Sequence, residues 1–398
     1  MRVRSVFGIF VILLAGGLTP QPAFAADAPK TIKIGAMISL TGPDAASGIP
    51  AKLGCELALE EINKAGGVMV KAYGKKIPLE LLASDMETNP EKAIARAEAL
   101  NAEKVAVAVG TTLVGASAEI FEKNRLPVIA SLMTINAIMD RGFAYFFNIG
   151  TLNSDMATVI FDMFGALPKG TMPTKWAFIK EQSDFATELF QFAKQMAAKR
   201  GITVTYEGQY AMMTPDFSAL ITATRNSGAE VIFAFPTAPD AITMLKQMAQ
   251  LGYKPKANIM LRASNDPSWG RLGALGDYAI GSPDWHPALK FPGVKALNEA
   301  VLAKTGQPTN PSVGPAYASI RVAAAAIEKA GSLDRAAVRD ALAATDMMTV
   351  MGQVKFAPNN TRQNAIRPVI QWQNGSMELV WPDNQKSKPL VYPIPGSK

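Results

Sequence analysis

The sequence predicts an α/β protein with two Rossmann-like lobes, each built on a central parallel sheet with helices on both faces. Three observations support this fold class. Short β-rich runs alternate with longer helical runs from Thr31 onward, and the alternation restarts after Asn148. The chain is also too long for one hydrophobic core: without a 25-residue N-terminal segment, 373 of its 398 residues remain, which is typical of two domains.

Residues 1–25 have the features of a secretory signal peptide. Arg2 and Arg4 precede an apolar stretch over residues 6–18, and Ala23-Phe24-Ala25 provides the small-residue ending at which such peptides are cut. The stretch is shorter than the roughly 20 residues that span a bilayer, so we favour cleavage after Ala25 over a retained membrane anchor. We therefore expect the mature chain in the periplasm.

The composition argues against several kinds of partner and site. The net charge is +7, but the lysine and arginine residues are scattered rather than clustered, which argues against nucleic acid as a partner. The single cysteine, Cys55, permits no internal disulfide, and it lies too far from Ala25 to be the lipid-bearing cysteine of a lipoprotein. We expect Cys55 to be buried on a helix.

The first half of the chain alternates strands with helices. Pro90, after Asn89, is suited to the first position of a helix, and the apolar run at 105–109 is typical of a strand buried on both faces. The predicted elements are strands at 32–38, 77–83, 105–109 and 127–130, and helices through 53–65, from 90, and at 116–124.

The second half repeats the pattern and then becomes mainly helical. Phe185, Leu189, Phe192 and Met196 recur at helical spacing. The predicted elements are strands at 175–180, 202–206, 230–235 and 258–261, and helices at 154–164, from 185, at 217–226 and at 240–251. After residue 281 we predict helices at 293–304, 312–329 and 333–343, followed by strands at 353–356 and 369–373.

Several short fragments occur in the order and spacing of a known family. They are Ile32-Lys33-Ile34-Gly35, Leu40-Thr41-Gly42-Pro43, Glu60-Glu61-Ile62-Asn63-Lys64-Ala65-Gly66-Gly67, Arg141-Gly142-Phe143, Asp216-Phe217-Ser218 with Leu220, and Gln371-Trp372-Gln373-Asn374-Gly375. Through them the chain resembles, over nearly its whole mature length, the periplasmic leucine/isoleucine/valine-binding protein family. These are the type I solute-binding proteins of ABC importers.

The resemblance implies two lobes joined by three hinge crossings, near Gly150, Gly281 and Pro358. Lobe 1 would comprise residues 31–150 and 282–358, and lobe 2 residues 151–281 and 359–398. The resemblance also implies a function. We expect a monomer that binds a small solute between the lobes and delivers it to a membrane-embedded ABC permease, without a cofactor.

Two segments match the family's carboxylate-binding turns, where helix starts present unpaired donors to an anion. Thr111 and Thr112 follow the strand at 105–109 directly, and Thr134 matches the family's ligand-binding threonine. Thr134 would contact the ligand through its hydroxyl and amide, while the Leu132 carbonyl would face an amino group. Helix capping by Thr111 and Thr112, and an ordinary loop at 131–134, are the alternatives.

Ser47, Phe185 and Thr237 match positions that form the walls of the family's ligand site. Ser47 falls where the family often has an aromatic residue, so we expect a wider cleft, and Phe185 is equally consistent with core packing.

The family's acidic partner of the α-amino group aligns with Ser264, which leaves Asp266 as the nearby carboxylate. We include Asp266 in the site, with a turn or helix cap as the alternative. We rank a branched-chain or related amino acid first as ligand. An aromatic carboxylate or amide is the alternative, because Ser264 carries no charge to pair with a buried ammonium.

Two other functional classes are alternatives to a binding protein. An enzyme would need a nucleophile with a base, and the single histidine, His286, has no such partner that the sequence identifies. No cysteine–histidine group has metal-site spacing. We therefore predict no enzymatic activity, no metal and no cofactor, and a structural role for His286 near a hinge. An exported ligand-sensing receptor protein would use the same fold and stays open.

Overall fold

The computed structural model describes residues 27–397 of the chain. The predicted signal peptide at residues 1–25 lies outside them. In this part of the chain no helix is long and apolar enough to cross a membrane.

The strands of the described residues form two large sheets and two hairpins. They are β1 (Ile32–Ile38), β2 (Val68–Val70), β3 (Lys75–Ile77), β4 (Leu79–Asp85), β5 (Val107–Gly110), β6 (Val128–Ala130), β7 (Phe146–Asn148), β8 (Lys175–Glu181), β9 (Thr203–Tyr210), β10 (Val231–Phe235), β11 (Ala257–Met260), β12 (Ala279–Gly281), β13 (Asp346–Thr349), β14 (Gly352–Lys355), β15 (Val369–Gln373) and β16 (Ser376–Trp381).

The helices lie between the strands and cover the faces of the sheets. They are α1 (Ala45–Lys64), α2 (Pro90–Ala102), α3 (Ala118–Lys123), α4 (Asn136–Asp140), α5 (Asn153–Gly165), α6 (Asp184–Lys199), α7 (Ser218–Asn226), α8 (Ala238–Gln250), α9 (Val294–Thr305), α10 (Val313–Ala330) and α11 (Arg335–Ala343). Short 3-10 helices span Lys71–Tyr73, Thr112–Ser117, Ala263–Asn265 and Pro267–Leu275.

The first sheet has the order β4-β1-β5-β6-β7, and its strands are parallel. Every residue of β5, β6 and β7 is buried because helices cover both faces. The chain runs from β1 to β4 on one side and then returns to the other side of β1 with β5. This reversal creates a switch point between β1 and β5, where open parallel sheets bind ligands at the carboxyl ends of their strands.

The second sheet has the order β16-β15-β12-β11-β10-β8-β9. Its strands from β12 to β9 are parallel, and β15 and β16 add two antiparallel strands at one side. This sheet is therefore mixed, where the sequence predicted a parallel one. Its switch point lies between β8 and β10, so the ends of these two strands are the equivalent place for a ligand.

We call the first sheet with the helices packed on it the first lobe, and the second sheet with α5–α8 the second lobe. Helices α9, α10 and α11 pack on the first lobe with α1 although they follow β12 of the second. The chain therefore passes between the sheets after β7, after β12 and after β14. The exact lobe boundaries at residues 150, 281 and 358 stay a prediction.

Most predicted elements are present with ends that differ by a few residues. The helix start at Pro90 is confirmed, because the Asn89 side chain accepts a hydrogen bond from the Lys92 amide at 3.0 Å. The region at 116–124 is a 3-10 helix followed by the short α3. The short elements β2, β3, β7, β12, β13, β16 and α4 were not predicted.

Candidate functional site

The carboxyl end of β5 carries the first pair of candidates. Thr111 is buried, and its amide donates to the Met37 carbonyl of β1 at 3.0 Å. Its side chain does not cap the 3-10 helix that begins at Thr112, so capping does not account for the Thr111 hydroxyl. Thr112 is half-buried at the start of that helix.

Thr134, in the turn after β6, has a buried hydroxyl that no protein group satisfies. The residue is 6% exposed, and Oγ1 has no hydrogen-bond partner among residues 27–397. An unsatisfied buried polar atom costs about 1–3 kcal/mol, so such atoms call for a ligand or water. The Thr134 carbonyl accepts from the Asn153 amide at 2.6 Å, which holds the turn against the start of α5 in the second lobe. Leu132 is buried in the core of the first lobe.

The predicted wall residues lie on both lobes. Ser47 is the third residue of α1 and is half-buried. Phe185, near the start of α6, stacks on Phe235 at the end of β10 with ring centroids 4.8 Å apart. Thr237 caps α8: its hydroxyl oxygen accepts from the Asp240 amide at 3.4 Å, and the hydroxyl donates to Asp240 Oδ2 at 2.6 Å. The Thr237 hydroxyl is thus engaged within its own turn.

Asp266 and Ser264 follow β11, and both already have partners. Asp266 caps the 3-10 helix Pro267–Leu275, with Oδ1 accepting from the Ser268 amide at 2.7 Å. The Ser264 side chain is fully buried and donates to the Met260 carbonyl at 2.7 Å. The helix-cap alternative therefore describes one oxygen of Asp266, and its role in ligand binding stays a prediction.

The sequence did not point to a second group of polar residues, at the strand ends of the second lobe. Glu181 ends β8, Tyr210 ends β9 beside it, and Arg262 follows β11. Arg262 Nη1 lies 3.3 Å from Glu181 Oε1, which also accepts from the Ser183 hydroxyl at 3.2 Å. Glu181 Oε2 is buried and has no hydrogen-bond partner in the described residues. Burial raises the pKa of Glu181, and the nearby Arg262 opposes that shift.

Two contacts bring the lobes together at these strand ends. Arg262 Nη2 lies 3.7 Å from Asp44 Oδ1, at the start of α1 in the first lobe. Glu188, on α6, accepts from the backbone amides of Asn136 at 3.1 Å and Ala137 at 3.0 Å, both on α4 of the first lobe. The carboxyl ends of the two sheets therefore face each other across a cleft.

Several other groups have structural explanations. Cys55 is buried on α1, as predicted, and burial raises the pKa of its thiol to about 12. His286 is 4% exposed and bonds to backbone groups only. Among residues 27–397, no group of three or more histidine, cysteine, aspartate or glutamate side chains is placed to hold a metal ion.

Comparison with known proteins identifies the fold family. Residues 31–376 match the family model described as periplasmic binding protein. The chain belongs to the periplasmic binding protein family. Its members are solute-binding proteins rather than enzymes. The resemblance found in the sequence is thereby confirmed.

Relatives and solved structures match nearly the whole length of this chain. A Leu/Ile/Val-binding protein homolog 7 from Brucella suis biovar 1 is 29% identical over 393 residues, covering 93% of this chain and 96% of the relative. The substrate binding protein LivJ from Streptococcus pneumoniae, in complex with isoleucine, has a TM-score of 0.75 at 20% identity, covering 87% of this chain and 98% of that one. A solute binding protein from R. palustris in complex with benzoate has a TM-score of 0.75 at 17% identity, covering 91% and 98%.

Proposed function

We propose that the mature chain is the periplasmic solute-binding component of an ABC importer and binds a small carboxylate-bearing solute between its lobes. The observation that carries this proposal is the buried Thr134 hydroxyl, which has no partner in residues 27–397 and lies where the sheets face each other. The buried Thr111 at the end of β5 adds a second hydroxyl at the switch point.

A branched-chain or related amino acid is the first candidate ligand. Relatives at 27–29% identity are named as Leu/Ile/Val-binding protein homologs, which supports this choice. An aromatic carboxylate is the second candidate. The stacked pair Phe185–Phe235 offers a flat apolar surface for a ring, and the Arg262 guanidinium could pair with a carboxylate.

A thermal-shift screen of the mature protein against amino acids, amides and aromatic acids tests the ligand class. A ligand that binds only the folded protein raises its melting temperature. Thr134→Val should lower the affinity for the ligand identified in the screen by about tenfold or more, since a hydrogen bond to a charged group contributes about 1.5–3 kcal/mol. Thr134→Ser keeps the hydroxyl and serves as the control. The proposal would be contradicted if no compound raised the melting temperature, or if Thr134→Val and Thr134→Ser bound the ligand with equal affinity.

Export and delivery need separate experiments. Mass spectrometry of the periplasmic fraction should detect a chain that begins at Ala26, and a membrane-bound, uncleaved chain as the main species would contradict export. Binding of the loaded protein to detergent-solubilised permease distinguishes a transport component from an exported sensor that presents its ligand to a receptor.

A further inference from the structure

Arg362, in the third crossing between β14 and β15, is a buried cation that no protein group satisfies. The residue is 6% exposed, and none of its three guanidinium nitrogens forms a hydrogen bond within residues 27–397. Arginine stays charged at neutral pH, and its five N–H groups can only donate. A buried charge without a partner is strongly destabilising, so this guanidinium calls for an acceptor.

Two carboxylates lie near Arg362, and one of them already has a cationic partner. Burial lowers the pKa of Arg362 to about 10, and the negative charges of Asp155 and Asp284 oppose that shift. Asp284 Oδ1 lies 2.9 Å from Nη1 of Arg367. Asp155 Oδ2 accepts from the Leu152 amide at 2.8 Å, but Asp155 forms no ion pair in the described part of the chain. Asp155 is therefore the carboxylate that remains available to a second arginine.

The backbone ties these two groups to different lobes. The Arg362 amide donates to the Asn148 carbonyl at the end of β7 at 3.0 Å, and the nearby Asn360 side chain donates to the Phe143 carbonyl at 2.9 Å. Both bonds hold this part of the crossing to the first lobe. Asp155 lies in the first turn of α5, which packs in the second lobe. A rotation of the lobes about the crossings therefore changes the distance between the Arg362 guanidinium and the Asp155 carboxylate.

The lobes are in contact in the arrangement that leaves Arg362 unpaired. Glu188 of the second lobe bonds to two amides of α4, and Arg262 lies 3.7 Å from Asp44 of the first lobe. These contacts are made when the cleft is closed, and opening the cleft is the movement that separates them. A pairing of Arg362 with Asp155 requires a different arrangement, and the open form provides one.

We propose that Arg362 and Asp155 form an ion pair when the lobes open, and that closure of the cleft breaks this pair. The pair favours the open, ligand-free form, and the closed form contains a buried cation without a partner. Ligand affinity is then lower than the cleft contacts alone would give, because part of the binding free energy is used to break the pair. The inference concerns the equilibrium between open and closed molecules, and it does not depend on which solute the cleft binds.

The test removes either the cation or its partner. Arg362→Met ends the pairing in the open form and removes the unpaired charge from the closed form. Asp155→Asn cannot pair with Arg362, but it keeps an oxygen that accepts from the Leu152 amide. Both variants should shift the ligand-free protein toward the closed form, so small-angle scattering should give a smaller radius of gyration than for wild type. In calorimetric titrations with L-leucine, both should bind about fivefold or more tightly than wild type.

Two controls make the result specific. Arg362→Lys retains the positive charge and should have a radius of gyration closer to that of wild type than Arg362→Met has. Arg335→Met removes a half-buried arginine whose bonds lie within the first lobe, to the Val105 carbonyl at 3.1 Å and to the Asn101 side chain at 2.6 Å. This variant should lower the melting temperature and leave the radius unchanged. Circular dichroism confirms folding, and Asp155→Asn decides the test if Arg362→Met does not fold.

The double variant shows whether the two residues act as a pair. In the Arg362→Met background, Asp155→Asn should change the radius and the affinity much less than it does in wild type, because the pair is already lost. Additive effects of the two changes would overturn the inference. A radius for both single variants that is equal to or larger than that of wild type would overturn it as well. Absence of L-leucine binding would contradict the first candidate ligand, and the radii of the ligand-free proteins would then decide the inference.

Discussion

His286 occupies a buried position between the second crossing and β16, and its two ring nitrogens have different partners. Nδ1 accepts a hydrogen bond from the Ala288 amide at 3.0 Å. Nε2 must then carry the proton of the neutral ring, and it donates to the Met377 carbonyl at 3.2 Å. Burial lowers the pKa of His286 from its ordinary value of 6.5 to about 4.

This lowered pKa predicts a pH dependence of stability. Between pH 4 and 6.5 the unfolded chain binds a proton at His286 that the folded protein excludes, so stability rises with pH across this window. The contribution of neutral His286 to the free energy of unfolding is complete above pH 6.5, and on the order of 3 kcal/mol of it is lost as the pH falls toward 4. Urea unfolding of His286→Gln should show a shallower pH dependence there than wild type. Equal slopes for the two proteins would contradict this account.

At the residue scale, the sequence pointed to candidates on both lobes, and their role in ligand binding stays a prediction. The match to the family pointed to Thr134, and its unsatisfied hydroxyl agrees with a binding role. Glu181 and Arg262 were not singled out, because they lie 81 positions apart and meet only when β8 and β11 enter one sheet. A helix cap was an alternative for Asp266 but not for Thr237, since a turn residue can point toward its own helix or toward a ligand.

At the element scale, the close packing of α1 on α10 depends on Gly54. A Cβ atom at this position would lie 2.3 Å from the Val313 carbonyl oxygen, so α10 would have to move. Gly54→Ala should therefore destabilise the protein by about 1–3 kcal/mol, although alanine favours helix more than glycine does. Gly115→Ala is the matched control, because its Cβ would meet side-chain atoms at 3.4 Å or more. Thermal unfolding measures the stability of both variants. Equal melting temperatures for Gly54→Ala and Gly115→Ala would contradict the packing argument.

Arg367 links the three segments that join the sheets. Its side chain bonds to Thr151 after β7, to Ser282 and Asp284 after β12, and itself lies before β15, with Nη1 2.9 Å from Asp284 Oδ1 and Nη2 2.6 Å from the Ser282 carbonyl. Arg367→Met should cost about 3–5 kcal/mol, because it leaves Asp284 and the Ser282 groups without their donor. Arg367→Lys should recover only part, since lysine lacks the planar fork.

The control for Arg367 is Arg321→Met, which removes an exposed ion pair with Glu61 and should cost less than about 1 kcal/mol. Urea unfolding of Arg367→Met, Arg367→Lys and Arg321→Met gives the free energy of unfolding of each variant and so the order of destabilisation. If Arg367→Met is no more destabilising than Arg321→Met, the crossings are not held together by Arg367. The contacts of Arg367 join positions 216 residues apart, which explains why the sequence showed no sign of them.

The elements themselves were predictable when they were long or continuously apolar. Helix α6 shows several turns of apolar periodicity, and β10 is a run of five buried residues. Strands β7 and β12 have three residues each, too few to show a period. Their place is determined by pairing with β6 and β11, which is a property of the assembled sheet.

At the scale of the whole molecule, the two lobes contact each other through few groups beyond the crossings. Glu188 makes one of these contacts, with the Asn136 and Ala137 amides of the first lobe, and its Oε2 also accepts from the Asn153 side chain of its own lobe at 2.7 Å. Arg262 and Asp44 make another, at 3.7 Å between partly exposed side chains. Because exposed ion pairs contribute little, Glu188 should contribute more to holding the lobes together than Arg262 does.

Glu188 therefore predicts how the population of open and closed molecules responds to mutation. Hydrogen bonds to a charged group contribute about 1.5–3 kcal/mol, so Glu188→Ala should shift the equilibrium toward the open form by at least roughly tenfold. Ligand affinity should fall by a similar factor, because a ligand that needs both lobes binds the closed form. Small-angle scattering should show a smaller radius of gyration for wild type with saturating ligand, and a larger one for ligand-free Glu188→Ala than for ligand-free wild type. Glu207→Ala, an exposed change in the same lobe, is the control. Scattering and affinity equal to wild type would mean that Glu188 does not hold the lobes together.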